Sequence, residues 1–451
     1  MDSEQNHSSR LNRIRFSPRS GSVQDRNVNM NDNTLIIFTD KYPYGNRETF
    51  IDNERSYWKS FKEVYICPVL LQKHDKIRSE FEPKEYEKVI PLFNEALSIK
   101  KILCSILGGL PIHFLFFELN SLYRNKKLSK VNIKLLLYVF FTTNIRIKQL
   151  KAYFYSKGIK IVDHHILLYS YWMFEPALVA LGINKGKSLR HITRCHGYDI
   201  YNERHKNNYI PYQETVLRNA SAIYPICTNG KDYLSNLYET KYDSKIIVKR
   251  LGTIKSFDSN RFNEVITCNS NGIVLVSCSN LVREKRINRI IEGLSLSSRR
   301  IDWYHFGDGE LMHEIENMAS SLPSNIHAHL LGFKPNTAVQ LFYSENKIDA
   351  FLNTSATEGV PVSIMEAQSY GLPVIATDVG GTSEIVHNNI NGILLPKDFS
   401  DQDFIEAIES VVKDEVSFRN AARQTWHELS NARKVYSDFF ENESEILRSN
   451  G

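Results

Sequence analysis

The stretch 355-SATEGVPVSIMEAQSYGLPVIATDVGGTSEIV-386 decides how this chain is read. Just ahead of it stands 348-IDAFLNT-354, a short apolar run of strand character, and a second such run, 373-PVIATDV-379, lies inside it. Between the two a helix is expected to start near Pro361, because proline is favoured at the first helical position and excluded deeper in. Strand, loop, helix, strand is the unit of a parallel sheet covered by helices. Glu358 then falls in the strand-to-helix loop, and Glu366 lies about one and a half turns into the helix. The N–H groups of Val362, Ser363 and Ile364 are expected to be unpaired donors at the helix start, a ready site for a phosphate. Gly359 lets the backbone come close. Glu366 leans back toward that end, where its two oxygens suit a vicinal diol such as ribose. Taken singly, each glutamate is more simply a dipole-favouring or surface acid.

The same alternation extends in both directions. Strand runs are expected at 34-TLIIFTD-40, 64-VYICPVL-70, 166-ILLYSYW-172, 189-LRHITRC-195, 222-AIYPIC-227 and 246-IIVKRL-251. A second set is 273-IVLVSCS-279, 301-IDWYHF-306, 326-IHAHLLG-332, the two runs above and 393-ILLP-396. Helical patterns separate most of them; 287-INRIIEGL-294 has apolar residues at i, i+3, i+4 and i+7. The expectation is α/β, with two Rossmann-like domains at 34–252 and 270–430. A tail at 1–33, a polar linker at 253–269 and a C-terminal helix at 431–451, able to cross back over the junction, complete the chain. Ligands of such sheets bind at the carboxyl ends of the strands, here in the cleft between the domains.

The 451 residues suit two to three domains, and a net charge of +5 does not by itself imply nucleic acid. The six cysteines form no C-x-x-C pair, which disfavours a disulfide framework or a zinc site and suits a reducing compartment. Residues 1–33 lack an apolar signal region and read as a polar, disordered tail, with Met30 expected as the biological start. The most apolar segment, 102-ILCSILGGLPIHFLFFEL-119, contains Pro111, His113 and Glu118 and reads as buried or interfacial rather than spanning.

After 273-IVLVSCS-279 comes 280-NLVREKRINR-289, whose Arg283, Lys285, Arg286 and Arg289 crowd a helix N-terminus where the dipole disfavours cations. A bound polyanion is the expected compensation. The run 306-FGDG-309 is a weak dinucleotide-like signal and fits a tight turn equally well. Residues 121–160 hold ten lysines and arginines and no acid, with 135-LLLYVFF-141 interleaved. That pattern suits an anionic bilayer surface or, alternatively, a solvated basic face beside a core helix.

Taken together, these elements resemble the retaining, GT-B-fold, nucleotide-sugar glycosyltransferases of the "group 1" family. The matching pieces are the E-x7-E pair Glu358 and Glu366, S-N-L-V-R-E-K-R, F-G-D-G, L-L-G-F and A-T-D-V-G-G-T-S-E-I-V, in the family's order over roughly 270–400. In the N-terminal half, 43-PYGNRETFIDNE-54, 168-LYSYW-172 and 196-HGYDIYNERH-205 resemble members that act in bacterial surface-polysaccharide assembly. The resemblance implies catalytic roles for Lys285, Glu358 and His196. Lys285, with Arg286 beside it, would neutralise the donor diphosphate, and Glu358 would hold the transferred sugar. His196 would lie at the reaction centre. Gly45, Gly359, Val362 and Ser363 would approach or bind phosphate, Glu366 the ribose, and Gly332 and Phe333 the base. The family often has Gly-Arg where this chain has Ser279-Asn280, and glycine where it has Pro361.

The implied activity is retaining, hexosyl-type transfer from a nucleotide sugar to a saccharide or lipid-linked saccharide, without cofactor. No D-x-D run appears in the site, so no metal is called for in this reading. The implied place is the cytoplasm, peripheral at the inner face of the cell membrane. A nucleotide-sugar epimerase of the same architecture and a non-catalytic carbohydrate-binding relative are the alternatives.

Overall fold

In the computed structural model the run Leu35–Phe38 is buried on both sides of a sheet: Leu35 and Ile37 face one core, Ile36 and Phe38 another. This is the period-two alternation of a strand covered on two faces, and it recurs through two six-stranded parallel sheets. The structure describes residues 33–45, 48–94, 97–98, 109–161, 165–257 and 272–449. The expected N-terminal tail as far as residue 32, most of the expected linker, and Cys104, His164 and Cys268 lie outside them.

The first sheet contains β1 (Thr34–Thr39), β2 (Glu63–Pro68), β3 (Glu87–Val89), β4 (Ile166–Ser170), β5 (Arg190–Cys195) and β6 (Ala222–Pro225). Its helices are α1 (Asp52–Arg55), α2 (Ile112–Arg124), α3 (Lys130–Ser156), α4 (Glu175–Asn184), α5 (Gly197–Ile200), α6 (Gln213–Asn219) and α7 (Thr228–Leu237). The second sheet contains β7 (Ile273–Cys278), β8 (Ile301–Phe306), β9 (Ile326–Leu330), β10 (Ala350–Asn353), β11 (Val374–Thr377) and β12 (Gly392–Leu395). It carries α8 (Ile287–Leu294), α9 (Met312–Ser320), α10 (Asn336–Glu345), α11 (Val362–Ser369), α12 (Asp401–Lys413) and α13 (Glu415–Leu429). A last helix, α14 (Ala432–Ser449), follows.

Strand orders are β3-β2-β1-β4-β5-β6 and β12-β11-β10-β7-β8-β9. Numbered within each sheet, both read 3-2-1-4-5-6, the doubly wound order of dinucleotide-binding folds. The chain thus has two crevices where the winding reverses, between β1 and β4 and between β7 and β10.

Helix α14 does not stay with the second sheet. Its Tyr436, Phe439, Phe440 and Leu447 pack on the first sheet's Leu35, Ile37 and Tyr169, and Glu443 pairs with Arg190 at 2.6 Å. The segment before it is stitched to the crossing strand of chain by Trp426 Nε1, which donates to Thr253 Oγ1 at 2.8 Å. Buried Arg194 holds the same crossing, donating to the carbonyl of Lys249 at 2.8 Å and to the Tyr169 hydroxyl at 2.7 Å. This corrects the expected strand at 246–251. Ile247 and Lys249 donate to β6 carbonyls, but Arg194 takes the Lys249 and Arg250 carbonyls, and the chain turns away as a connector. In the run 135–141, Leu136, Val139 and Phe140 are buried in the first domain's core, while Tyr138 is exposed.

Candidate active site

At the β7/β10 crevice the loops after the two strands are fastened together. Ala356 N donates to the Glu284 carbonyl at 2.7 Å, and Thr354 Oγ1 donates to the Arg286 carbonyl at 3.0 Å. This fastening brings Lys285 Nζ to 2.6 Å from Glu358 Oε1. The same oxygen accepts from Ser355 Oγ at 2.6 Å and Asn353 Nδ2 at 3.3 Å. Helix α11 starts directly beyond, with Pro361 as the N-cap rather than the first helical residue. Ile364 N turns back onto the Pro361 carbonyl at 3.1 Å. The three expected free donors are therefore two, Val362 and Ser363, because the first turn tightens.

Gly380 shapes the loop from behind. Its φ is +59°, and a Cβ there would stand 2.0 Å from the Glu358 carbonyl oxygen, so only glycine fits. Glu366 lies on α11, buried, accepting from Asn336 Nδ2 at 2.7 Å. Burial pushes its carboxyl up to about 7, against the opposing effect of that hydrogen bond. Asn336 opens α10, four residues after Gly332, and so links Glu366 to the loop of Gly332 and exposed Phe333. Lys285, Glu358, Val362, Ser363 and Glu366 are thus gathered along one crevice, with Gly332 and Phe333 at its side.

Arg286, in the left-handed region at φ 48°, reaches the same loop as Lys285 but is engaged by that loop's backbone: Nε donates to the Thr354 carbonyl at 2.8 Å, and Nη1 stands 3.9 Å from Asp398. Arg289 pairs with Asp401 at 3.0 Å and donates to the Phe399 carbonyl at 2.7 Å. Three of the four cations thus already stand beside acids, Lys285 at Glu358, Arg286 at Asp398 and Arg289 at Asp401, so part of the compensation expected from a polyanion comes from the chain itself.

From the first domain, His196 caps α5 at the end of β5. Its imidazole lies among Trp172, Tyr171 and Phe50, with ring centroids 4.4, 5.3 and 5.8 Å away. Both ring nitrogens are buried without a hydrogen-bond partner among the described residues. Burial, with Arg194 nearby, holds the imidazole well below its ordinary pKa and so neutral. Its backbone N–H donates to Asp199 Oδ1 at 2.5 Å. The next residue, Gly197, meets the second domain: a Cβ on Gly359 would lie 3.6 Å from Gly197 N. His196 and Glu358 each stand one residue from that meeting point.

Sequence reasoning missed Arg204, which spans the same gap. Its Nη2 donates to Thr357 Oγ1 at 2.6 Å and to the Glu358 carbonyl at 2.8 Å. Glu384 adds a second tie, pairing with Arg250 at 2.6 Å. It also missed Glu48. Gly45, at φ +61°, lies in the loop after β1, but among the described residues of that loop three N–H groups are already taken. Glu48 accepts from Asp40, Lys41 and Tyr42 N at 3.1, 2.6 and 2.6 Å and from Trp172 Nε1 at 2.6 Å. Both residues stand within motifs singled out in the sequence, 196-HGYDIYNERH-205 and 43-PYGNRETFIDNE-54; only the tertiary fold reveals their partners.

Residues 258–428 match the family model "Glycosyl transferases group 1". The chain is 26% identical over 227 residues to the putative colanic acid biosynthesis glycosyltransferase WcaL of Escherichia coli, covering 48% of this chain and 53% of that protein. It is 35% identical over 111 residues to an Escherichia coli UDP-Gal:alpha-D-GlcNAc-diphosphoundecaprenol alpha-1,3-galactosyltransferase, covering 24% and 27%. The matches therefore span about half the length of these curated relatives or less. Anabaena Alr3699/HepE, solved in complex with UDP, superposes with a TM-score of 0.60 at 15% identity over 92% of this chain and all of that one. That likeness is one of fold, a two-domain GT-B architecture. It is the C-terminal domain of the chain, residues 258–428, that matches the glycosyl transferases group 1 family.

Proposed function

We propose that this protein is a retaining, metal-independent glycosyltransferase that moves a sugar from a nucleoside-diphosphate sugar to a saccharide or lipid-linked saccharide during surface-polysaccharide assembly. The observation that carries the reading is the Lys285–Glu358 pair, 2.6 Å apart at a strand-order reversal and beside the N–H groups that open α11. A diphosphate entering there meets one cation and two backbone donors. Lys285 exchanges Glu358 for phosphate, and Glu358 is released to accept hydrogen bonds from sugar hydroxyls.

In the transfer, the bond from the sugar's anomeric carbon to the diphosphate breaks. The acceptor oxygen bonds to that carbon on the same face, and its proton passes to the departing phosphate oxygen. Charge grows on the leaving diphosphate, where Lys285 and the Val362 and Ser363 N–H groups stabilise it. In this reading they do the work that a divalent ion would otherwise do. Glu366 holds the ribose, with Gly332 and Phe333 beside the base. Neutral His196, with free nitrogens, bonds the sugar or acceptor from the opposite wall. Relatives named for colanic acid and for a diphosphoundecaprenol-linked acceptor support the polysaccharide setting.

The test is a thermal-shift panel of nucleotide sugars, followed by turnover on lipid-linked acceptors with the product's anomeric configuration read by NMR. Transfer with retention is expected; an inverted product overturns the retaining assignment, and donor conversion without any acceptor overturns transfer.

A further inference from the structure

Helix α3 is too long for the sheet it covers. Its 27 residues span roughly 40 Å, whereas the six-residue strands of the first sheet span roughly 20 Å. Its C-terminal turn lies at the start of the strands, where Tyr153 and Lys157 line a cleft with Thr34 and Ile166. By Arg146 the helix has reached the strands' other end, since that guanidinium bonds Asn94 in the loop beyond β3. Residues 130–143 therefore run on past the carboxyl edge, by roughly 20 Å. Helix α2 returns alongside, and the two form a hairpin at the carboxyl edge, the edge at which ligands of such sheets bind. Its root is firm: Phe114, Leu122, Leu136 and Phe140 are core, and buried Glu118 accepts from the Tyr209 hydroxyl at 2.9 Å.

The outer face of this hairpin is apolar and basic at once. Of sixteen exposed large hydrophobics among the described residues, six fall between 112 and 138, far more than an even spread would put there. On α2, Ile112, Phe116 and Tyr123 are 47, 65 and 72% exposed and share one helix face. Leu128 at the turn and Val131 and Tyr138 on α3 continue it. Exposed Arg124, Lys126, Lys130 and Lys134 are interleaved, and the sequence has no acid from 121 to 160. A protein partner would need a complementary acidic surface shaped to this one face. A lipid bilayer bearing anionic headgroups supplies charge at any register and accepts aromatic and aliphatic side chains at its interface.

We infer that the α2–α3 hairpin is a docking foot for an anionic lipid surface, setting the cleft over the membrane plane. No helix among the described residues is long and apolar enough to cross a membrane, so the contact is peripheral. This deepens the proposed function, and rests on it only for its purpose, by placing the acceptor at the lipid surface. Within the run 135–141, Leu136, Val139 and Phe140 are core and play no part, while Tyr138 faces outward.

The test is sedimentation of the full chain with vesicles of phosphatidylcholine alone or with about a third phosphatidylglycerol. Two variants are compared with the parent: Phe116→Ser/Tyr123→Ser/Val131→Ser, and Arg124→Glu/Lys126→Glu/Lys130→Glu. All six side chains are exposed, and thermal melting checks that both variants fold. Partitioning is expected to be roughly tenfold stronger on the anionic vesicles and to fall roughly tenfold in either variant. Equal binding to both vesicles, binding by the variants at the parent's level, or no binding overturns the inference. A parent that is dimeric, with monomeric variants, assigns the face to a second copy and overturns it too. Titration of nucleoside diphosphates in the same samples, without lipid, reports on the donor site separately.

Discussion

The two halves of this molecule wind the same sheet and do opposite things at the point where the winding reverses. In the first, the loop after β1 turns three N–H groups inward and fills the nest with its own carboxylate, Glu48. In the second, the N–H groups of Val362 and Ser363 have no partner among the described residues, and Lys285 is matched by a carboxylate that hydroxyl groups could take over. A crevice plugged by a side chain is a scaffold, whereas one matched by an exchangeable ion pair is a site. Each sheet has a crevice at its reversal, and in the first the N–H groups after β1 are met by a carboxylate of the chain itself.

That contrast is broken most severely at Glu48. Glu48→Ala leaves the N–H groups of Asp40, Lys41 and Tyr42 and the Trp172 indole unmet, and is expected to cost ~3–5 kcal/mol of stability in denaturant titration. If the vacated nest is equivalent to the second one, millimolar inorganic phosphate raises the variant's melting temperature more than the parent's. A variant as stable as the parent would mean that the plug is incidental. Next comes Lys285→Ala, expected to slow transfer at saturating donor by ~2–4 kcal/mol in barrier. Steady-state rates check this, and an unchanged rate removes the lysine from the chemistry.

Glu366 sharpens the comparison through pH. Its folded pKa, about 7, is raised above the ordinary carboxylate value by burial. The protonated form is therefore favoured in the folded state, and the stability it contributes is present below about pH 4.5 and lost as pH rises through about 7. Glu366→Gln, which cannot ionise, is expected to be more stable than the parent by ~1–3 kcal/mol at pH 8 and to converge with it near pH 5. Melting curves at the two pH values decide, and a constant difference would contradict the assignment. The smallest effect is expected at Arg204, which holds the Glu358 loop from across the cleft. Arg204→Ala is expected to lose ~1–2 kcal/mol in kcat, with donor affinity kept and faster amide exchange across 354–361. Arg204→Lys recovers part of it. Equal loss in both variants with slow exchange would count against a positioning role.

Much of this was legible in the sequence, for definite reasons. Continuous apolar runs such as 34–38 and 273–277 could only be strands covered on both faces. The spacing of Ile287, Ile290, Ile291 and Leu294 marked a helix face, and all four are buried. Pro361 placed Glu358 in a loop and Glu366 in a helix, as found to within one residue. What was not legible depends on contacts distant in sequence. Arg286 and Lys285 are neighbours with the same charge; one is engaged by the Thr354 carbonyl and the other by Glu358, and no local signal announces it. Arg204 and Glu48 look like ordinary surface charges until the fold brings Thr357 and Trp172 to them. The run 135–141 is apolar enough for a membrane or for a core, and only the burial of Leu136, Val139 and Phe140 in the fold decides between them.

We propose that the β7/β10 crevice, and not the β1/β4 one, receives the donor's diphosphate. Calorimetric titration of UDP, GDP and ADP into the parent, Lys285→Ala and Glu48→Gln tests it directly. A nucleoside diphosphate is expected to bind the parent, Lys285→Ala to weaken it by roughly tenfold or more, and Glu48→Gln to leave it nearly unchanged. Undiminished affinity in Lys285→Ala, or affinity lost in Glu48→Gln alone, would contradict it.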